Sequence, residues 1–307
     1  MKRSIKDYVV ISLKGMAMGA ADVVPGVSGG TIAFISGIYE ELLTSISNVN
    51  LSILKTLKEE GLKAAWQKLN GAFLLSLMIG IAISVLSLAK GISFLLVTHP
   101  ILLWGFFFGL VLASILYVGK QIEKWRAQEI ISLILACAVA YYITIVKPMV
   151  SDDASVLFLL LAGALAICAM ILPGISGAFI LVLLGAYQTI LDAVHGRDLQ
   201  VIAIVGLGAI VGLLSFSRVL KWLFIHYKSV TLAGLTGFIL GSLNKIWPWK
   251  ETLSTRINSK GVTVPVLQKS ILPNHYDGDA QLLFAIVLAG FGFLLIIGME
   301  KVASRKA

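Results

Sequence analysis

Apolar runs of near membrane-spanning length alternate with short charged stretches along the whole chain, and this pattern sets out its elements before any single residue is considered. A pair of apolar segments flanks Pro25, over residues 8–47, and a polar stretch follows at 48–70. Three runs come next, at 71–89, 100–118 and 130–146. A second pair flanks Pro173, over 155–194, and three more runs close the chain at 201–217, 230–243 and 280–298, with a polar loop at 245–279 before the last. A hydrocarbon core asks for about 20 apolar residues per helix, so these runs read as spans. The arms beside Pro25 and Pro173 have a length that fits either re-entrant or short spanning helices, and we favour re-entrant hairpins, since only then do both turns meet near the midplane. The predicted fold is an all-α polytopic membrane protein.

The order of one pair plus three spans occurs twice, which divides the chain into halves at 1–147 and 148–307. The residues repeat too. Ala21-Asp-Val-Val-Pro-Gly-Val-Ser-Gly-Gly30 lies over Ala169-Met-Ile-Leu-Pro-Gly-Ile-Ser-Gly-Ala178, and Gly37-Ile-Tyr39 over Gly185-Ala-Tyr187. Further on, Gly80, Lys90 and Gly109 lie over Gly208, Arg218 and Gly237, once the polar stretch at 48–70 is taken as an insertion in the first half. Each pair returns the chain to the side it came from, so three further spans leave a half on the opposite side and the second half is inverted. With both termini in the cytoplasm, most of the 25 Lys and Arg fall inside, as the positive-inside rule expects.

Composition narrows the class. The chain is 58% hydrophobic and 13% charged, with a mean hydropathy of +0.94, too apolar for a soluble domain of 307 residues. The first segment lacks a small-residue cleavage site and reads as a retained helix. The net charge of +9 is spread over short loops without interleaved aromatics, which argues against nucleic acid. Cys137 and Cys168 lie in apolar runs with no metal-ligand spacing and read as packing residues.

The chemistry concentrates in the two Pro-Gly-x-Ser-Gly turns. Irregular backbone inside apolar sequence is tolerated only where it is buried or lines a cavity. Pro25 and Pro173 stop the first arm of each pair; Gly26, Gly29, Gly30, Gly174 and Gly177 expose backbone N–H groups, and Ser28, Thr31 and Ser176 add hydroxyls at the start of the second arm. Such a helix start suits an anion, while carbonyls freed in the turn suit a cation. Asp22, inside the first apolar arm, is a carboxylate at membrane depth. Trp247 and Trp249 read as an outer aromatic belt.

Three segments carry a family resemblance: Gly19-Ala-Ala-Asp-Val-Val-Pro-Gly-Val-Ser-Gly-Gly-Thr31 with Gly37-Ile-Tyr-Glu40, then Pro173-Gly-Ile-Ser-Gly-Ala178, and Gly241-Ser-Leu-Asn-Lys-Ile-Trp-Pro-Trp249. Together they closely resemble the bacterial undecaprenyl-phosphate (polyprenyl-phosphate) transporters, and the likeness covers essentially the whole chain. It implies a flippase in the bacterial cytoplasmic membrane that moves the lipid phosphate from the outer to the inner leaflet, recycling the carrier used in cell-wall synthesis. No catalytic residue, metal or cofactor is implied, beyond a coupling proton or sodium ion. The lipid is the expected partner, in a membrane setting that also allows a homo-oligomer. On this reading the turn residues bind phosphate, Arg218 and its counterpart Lys90 supply cationic charge, and Asp22 and Glu40 serve coupling or charge pairing. Two other functions remain open: a polyprenyl-diphosphate phosphatase, whose similar turns carry Arg where this chain has Gly29 and Gly177, and an ion or small-anion channel.

Overall fold

The structure is a computed structural model that describes residues 3–24, 27–148, 155–257 and 263–304. Helix α1 (Ile5–Asp22) opens on a capping box in which the Ser4 hydroxyl accepts from Asp7 N and the Asp7 carboxylate accepts from Ser4 N. Short helices α2 (Gly29–Ile35) and α3 (Tyr39–Ser47) form the return arm, and α4 (Leu51–Glu59) and α5 (Gly61–Lys68) occupy the polar stretch. Helices α6 (Gly71–Thr98), α7 (Pro100–Gly119) and α8 (Ala127–Ile145) complete the first part of the chain. The second follows the same order with α9 (Val156–Ile171), α10 (Gly177–Leu183), α11 (Tyr187–Gly196), α12 (Leu199–His226), α13 (Lys228–Ser242) and α14 (Leu282–Ser304).

The chain is mostly helical, as expected of a membrane protein, and four described helices (α6, α7, α8 and α12) are long and apolar enough to cross a bilayer. A fifth crossing results if the bent pair α10 and α11 is counted as one. Two predicted spans are shorter than the rest: α13 has 15 residues, continued by a 3-10 turn at Leu243–Ile246, and the apolar part of α14 is Leu282–Gly298. Each return arm, predicted as one helix, is broken. The breaks fall at Gly37 and Gly185, whose φ angles of 72° and 77° lie in the left-handed region that glycine tolerates without a Cβ penalty.

Four helix pairs form the framework: α1 with α6, α9 with α12, α7 with α14 and α8 with α13. Within a membrane, helices associate through close packing rather than a hydrophobic drive, and small residues allow the backbones to approach. A methyl group at Gly15 would collide with the Leu77 carbonyl and one at Gly80 with that of Ser12; in the second pair, Gly163 meets Val205 and Gly208 meets Leu160 in the same way. Gly105 and Gly109 lie against Ala285 and Ala289, while Gly237 and Gly241 lie against Leu133 and Cys137. In these last two pairs the contacts advance four residues at a time on both partners, so the helices run parallel.

One expectation is corrected. The stretch at 245–279, read as a polar loop in an all-α chain, contains an antiparallel hairpin of β1 (Lys250–Ile257) and β2 (Thr263–Ser270). Thr, Val, Ile and Leu recur along both strands, which suits a pleated surface even though the segment is polar on average. The predicted Trp belt is corrected too. Trp249 is buried against Ile101 and Ala285, and the Trp247 and Trp249 indoles donate to the Ile271 and Ala280 carbonyls at 2.8 Å each. Both rings anchor the hairpin to the ends of α7 and α14 instead of facing lipid headgroups.

The packing yields a paired prediction. Gly109→Ala places a methyl in the Ala289 carbonyl and is expected to destabilise the protein by about 1–3 kcal/mol. Gly290→Ala, on α14 but facing open space, should be neutral or stabilising by about 1 kcal/mol or less. Thermal unfolding of the purified variants in detergent measures both; equal midpoints would refute the close-packed interface.

Candidate functional site

The two turns meet inside the protein. Val24, Val27, Ser28, Thr31, Pro173 and Ile175 are all buried there. Helix α9 ends at Ile171, and the carbonyls at its end lose their helical partners where Pro173 interrupts the chain. The first turn supplies replacements. Ser28 Oγ lies 3.0 Å from the Met170 carbonyl and 3.3 Å from that of Leu172, and Tyr39 Oη donates to the Ile171 carbonyl at 3.1 Å. In the opposite sense, Gly174 N donates to Thr31 Oγ1 at 2.9 Å. Gly174 has a φ of +95°, and a Cβ there would press on Ser242 Oγ, so the turn is fitted against α13 as well.

The first return arm is electrostatically complete. Asp22 Oδ1 accepts from Gly29 N at 2.7 Å, placing a carboxylate at the start of α2, and Ser28 Oγ accepts from Gly30 N at 3.0 Å. Lys14 Nζ donates to the Ser36 carbonyl at 2.6 Å just past the other end. Negative charge at a helix start and positive charge at its end both complement the helix dipole. The second return arm has neither. Met170 takes the place of Asp22, Ala162 that of Lys14, and Ser176 makes no side-chain cap bond to α10. Its hydroxyl is the one left available at the junction.

The other predicted residues fall as follows. Gly26 lies outside the described residues, as does the side chain of Lys90, whose backbone is on α6. Arg218, on α12, donates to the Val49 carbonyl at 3.0 Å in the polar stretch after α3, so the bond it makes leads away from the turns. Glu40 sits 2.9 Å from Lys228 Nζ, and the adjacent Glu41 sits 2.6 Å from the Arg3 guanidinium. These ion pairs tie the start of α3 to α13 and to the N-terminal end of α1. Hydrogen bonding to Glu41 holds the Arg3 guanidinium above its ordinary range.

Two partly buried lysines were not singled out from the sequence. Lys245, in the turn after α13, lies with Nζ 4.0 Å from the centre of the Phe179 ring on α10. Lys250, at the start of β1, lies with Nζ 4.0 Å from the Trp104 ring on α7 and donates to the Lys245 carbonyl at 2.6 Å. Both are in the cap beyond the helix ends. Burial lowers the Lys245 ammonium to about 8, and burial together with the charge of Lys245 lowers Lys250 well below its usual range. The available signal was that Lys245 lies within the Gly241–Trp249 family segment.

A family model described as undecaprenyl phosphate translocase-like matches residues 18–264. The chain is 50% identical over 303 residues, 97% of its length and 98% of the relative's, to a protein of Vibrio cholerae named polyprenyl-phosphate transporter. A Staphylococcus aureus protein of the same name is 30% identical over 257 residues, 78% of this chain and 86% of the relative. No solved structure matches.

The two serines, equivalent in sequence, should behave differently. Ser28→Ala leaves the Met170 and Leu172 carbonyls unpaired and is expected to cost about 1–3 kcal/mol, whereas Ser176→Ala should leave the thermal midpoint nearly unchanged. Thermal unfolding of the two variants measures this difference; equal losses would refute it.

Proposed function

The chain belongs to the undecaprenyl phosphate translocase-like family, and from that membership we propose that it is a flippase for undecaprenyl phosphate. On this reading it works in the bacterial cytoplasmic membrane with both termini inside, and it returns the lipid from the outer to the inner leaflet for reuse in cell-wall synthesis. The tail stays in the bilayer, and the protein has only to carry a monophosphate across. The observation that carries this reading is the junction of two polar turns in an apolar interior, with the Ser176 hydroxyl making no cap bond beside the first N–H groups of α10. We assign the phosphate to the start of α10, at Ser176 and Gly177, with Gly174 held by Thr31 and the first turn as support.

The two halves are read as inverted repeats. Supporting this, the sequence correspondence that lays Gly15 and Gly80 over Gly163 and Gly208 also carries the backbone contacts of α1 with α6 onto those of α9 with α12. The pairing of α7 with α14 then answers to that of α13 with α8, each half lending its last helix to the other.

Carrying is favoured over cleaving by the space at two glycines. A Cβ at Gly177 would lie 2.6 Å from the Ala166 carbonyl, and one at Gly29 would lie against the Asp22 carboxylate. Gly177 has no room for the arginine of the phosphatase pattern, the group that would stabilise charge on a transferring phosphoryl, while at Gly29 an arginine would displace the Asp22 carboxylate from the start of α2. Coupling is assigned to Asp22, with a proton or sodium ion weakening its hold on α2, and Glu40 acts by pairing with Lys228.

In proteoliposomes the purified protein is expected to move a polyprenyl phosphate between leaflets without releasing inorganic phosphate. Phosphate release would establish the enzyme, and small-anion flux without lipid movement would establish a channel. Asp22→Asn should flatten the dependence of transport on a pH or sodium gradient, and transport that still follows both gradients as in the wild type would remove Asp22 from coupling.

A further inference from the structure

The sequence repeat and the family resemblance both direct attention to the turns, yet the structure gathers its least compensated cations elsewhere. Lys245 and Lys250 share a small region between the starts of α7 and α10 and the base of the β-hairpin. Among the described residues neither has a carboxylate within ion-pair distance. Lys245 Nζ makes no hydrogen bond there, and its neighbour is an aromatic face. Lys250 Nζ has one protein acceptor, the Lys245 carbonyl. An ammonium has three donors, so most of this donor capacity is unused.

Holding a second proton at Lys250, out of water and beside the Lys245 charge, is unfavourable, and surface lysines avoid such an arrangement because their stems are flexible enough to part. Here each stem is fixed. Trp104 and Phe179 hold the ammoniums by cation–π contact, and the bond from Lys250 to the Lys245 backbone ties the two together. A doubly charged oxyanion between them would relieve the repulsion and take up the free donors. The aromatic surroundings continue through Trp247, which stacks edge-on against Phe108. That wall is apolar, so it admits an anion joined to a hydrocarbon chain.

We infer that Lys245 and Lys250 form a receptor for a phosphomonoester at the hairpin end of the molecule, where the head group of a prenyl phosphate is captured before it reaches the turns. The identity of the ligand rests on the transport reading; the receptor rests on the lysine geometry. Phe179 links the two places, since it lies on α10 two residues after Gly177 and also carries the Lys245 contact. A phosphate leaving Lys245 would therefore be delivered to the start of the uncapped helix.

The receptor should also respond to pH. A phosphomonoester is fully dianionic above about pH 7. With burial lowering Lys245 to about 8, binding weakens as the pH rises through that value and the ammonium loses its proton. Lys250 is the titratable group that the described residues place against it; burial and the Lys245 charge hold it well below its usual range, and a bound dianion favours its protonated form.

The test uses the full-length protein in nanodiscs with two probes, a polyprenyl monophosphate and inorganic phosphate. Lys245→Met and Lys250→Met should each weaken monophosphate binding about tenfold or more, Lys245→Arg should retain most of it, and Lys245→Met should lose the fall in affinity between pH 7 and 9. Thermal midpoints of both methionine variants should be unchanged or raised, because a desolvated charge has been removed, and this separates lost binding from lost folding. Wild-type affinity for both probes in both methionine variants would overturn the receptor. Binding of inorganic phosphate that depends on Lys245, together with refusal of the polyprenyl phosphate by the wild type, would keep the receptor and overturn the transport reading.

Discussion

The architecture depends on satisfying backbone polar groups where the chain breaks at membrane depth. A helix that ends in hydrocarbon leaves carbonyls with no water to accept from, and each costs several kcal/mol if left alone. Here α9 ends inside the protein, and its last carbonyls are met by Ser28 and Tyr39 of the other hairpin. The Gly174 N–H is met by Thr31. These bonds bind the hairpins into one unit, and neither turn could keep its shape without its counterpart. They also run unevenly, since most of the side-chain partners come from the first turn and serve the second.

That unevenness gives the two turns different work. The first turn is occupied by its own side chains: Asp22 at the start of α2, Lys14 at its end, and a serine bonded to its neighbour. The second reads Pro-Gly-Ile-Ser-Gly against Pro-Gly-Val-Ser-Gly in the first, but has Met170 and Ala162 where those charges would be. The two turns resemble each other in sequence, and the flanking positions differ so that the first is bonded by its own side chains while Ser176 makes no cap bond. An identical motif therefore does not mean an identical role, and the flanking residues decide.

Much of the framework was legible because it rests on patterns that are local along the chain. Apolar run length identified α6, α7, α8 and α12, and the residue repeat aligned Gly80 with Gly208 and Gly109 with Gly237, glycines that lie at helix contacts. The hairpin of β1 and β2 was missed because its strands are polar on average, so hydropathy registered a loop where β-branched residues form a ladder. The tryptophans were misplaced for a related reason: their chemistry fits an interface, but carbonyls 24 and 31 residues away claim the indole N–H groups. Lys245 and Lys250 were passed over because a lysine at a span end ordinarily reaches water, and only the packing of α7 and α10 around them shows that here it does not.

The glycine-packed pairs also limit how such a protein can open. Within a pair the backbones touch at Gly80, Gly109, Gly208 and Gly237, so sliding one helix along its partner would drive Cα hydrogens and side chains into carbonyls. Each pair is therefore a stiff unit. The pairs meet one another through a shared apolar core and through a few polar connections: Glu40 with Lys228, Arg3 with Glu41, and Arg218 with the Val49 carbonyl. All three lie toward the ends of helices, away from the buried hydrogen bonds that join the turns. The backbone at the junction is thereby held by bonds that none of these three surface connections provides.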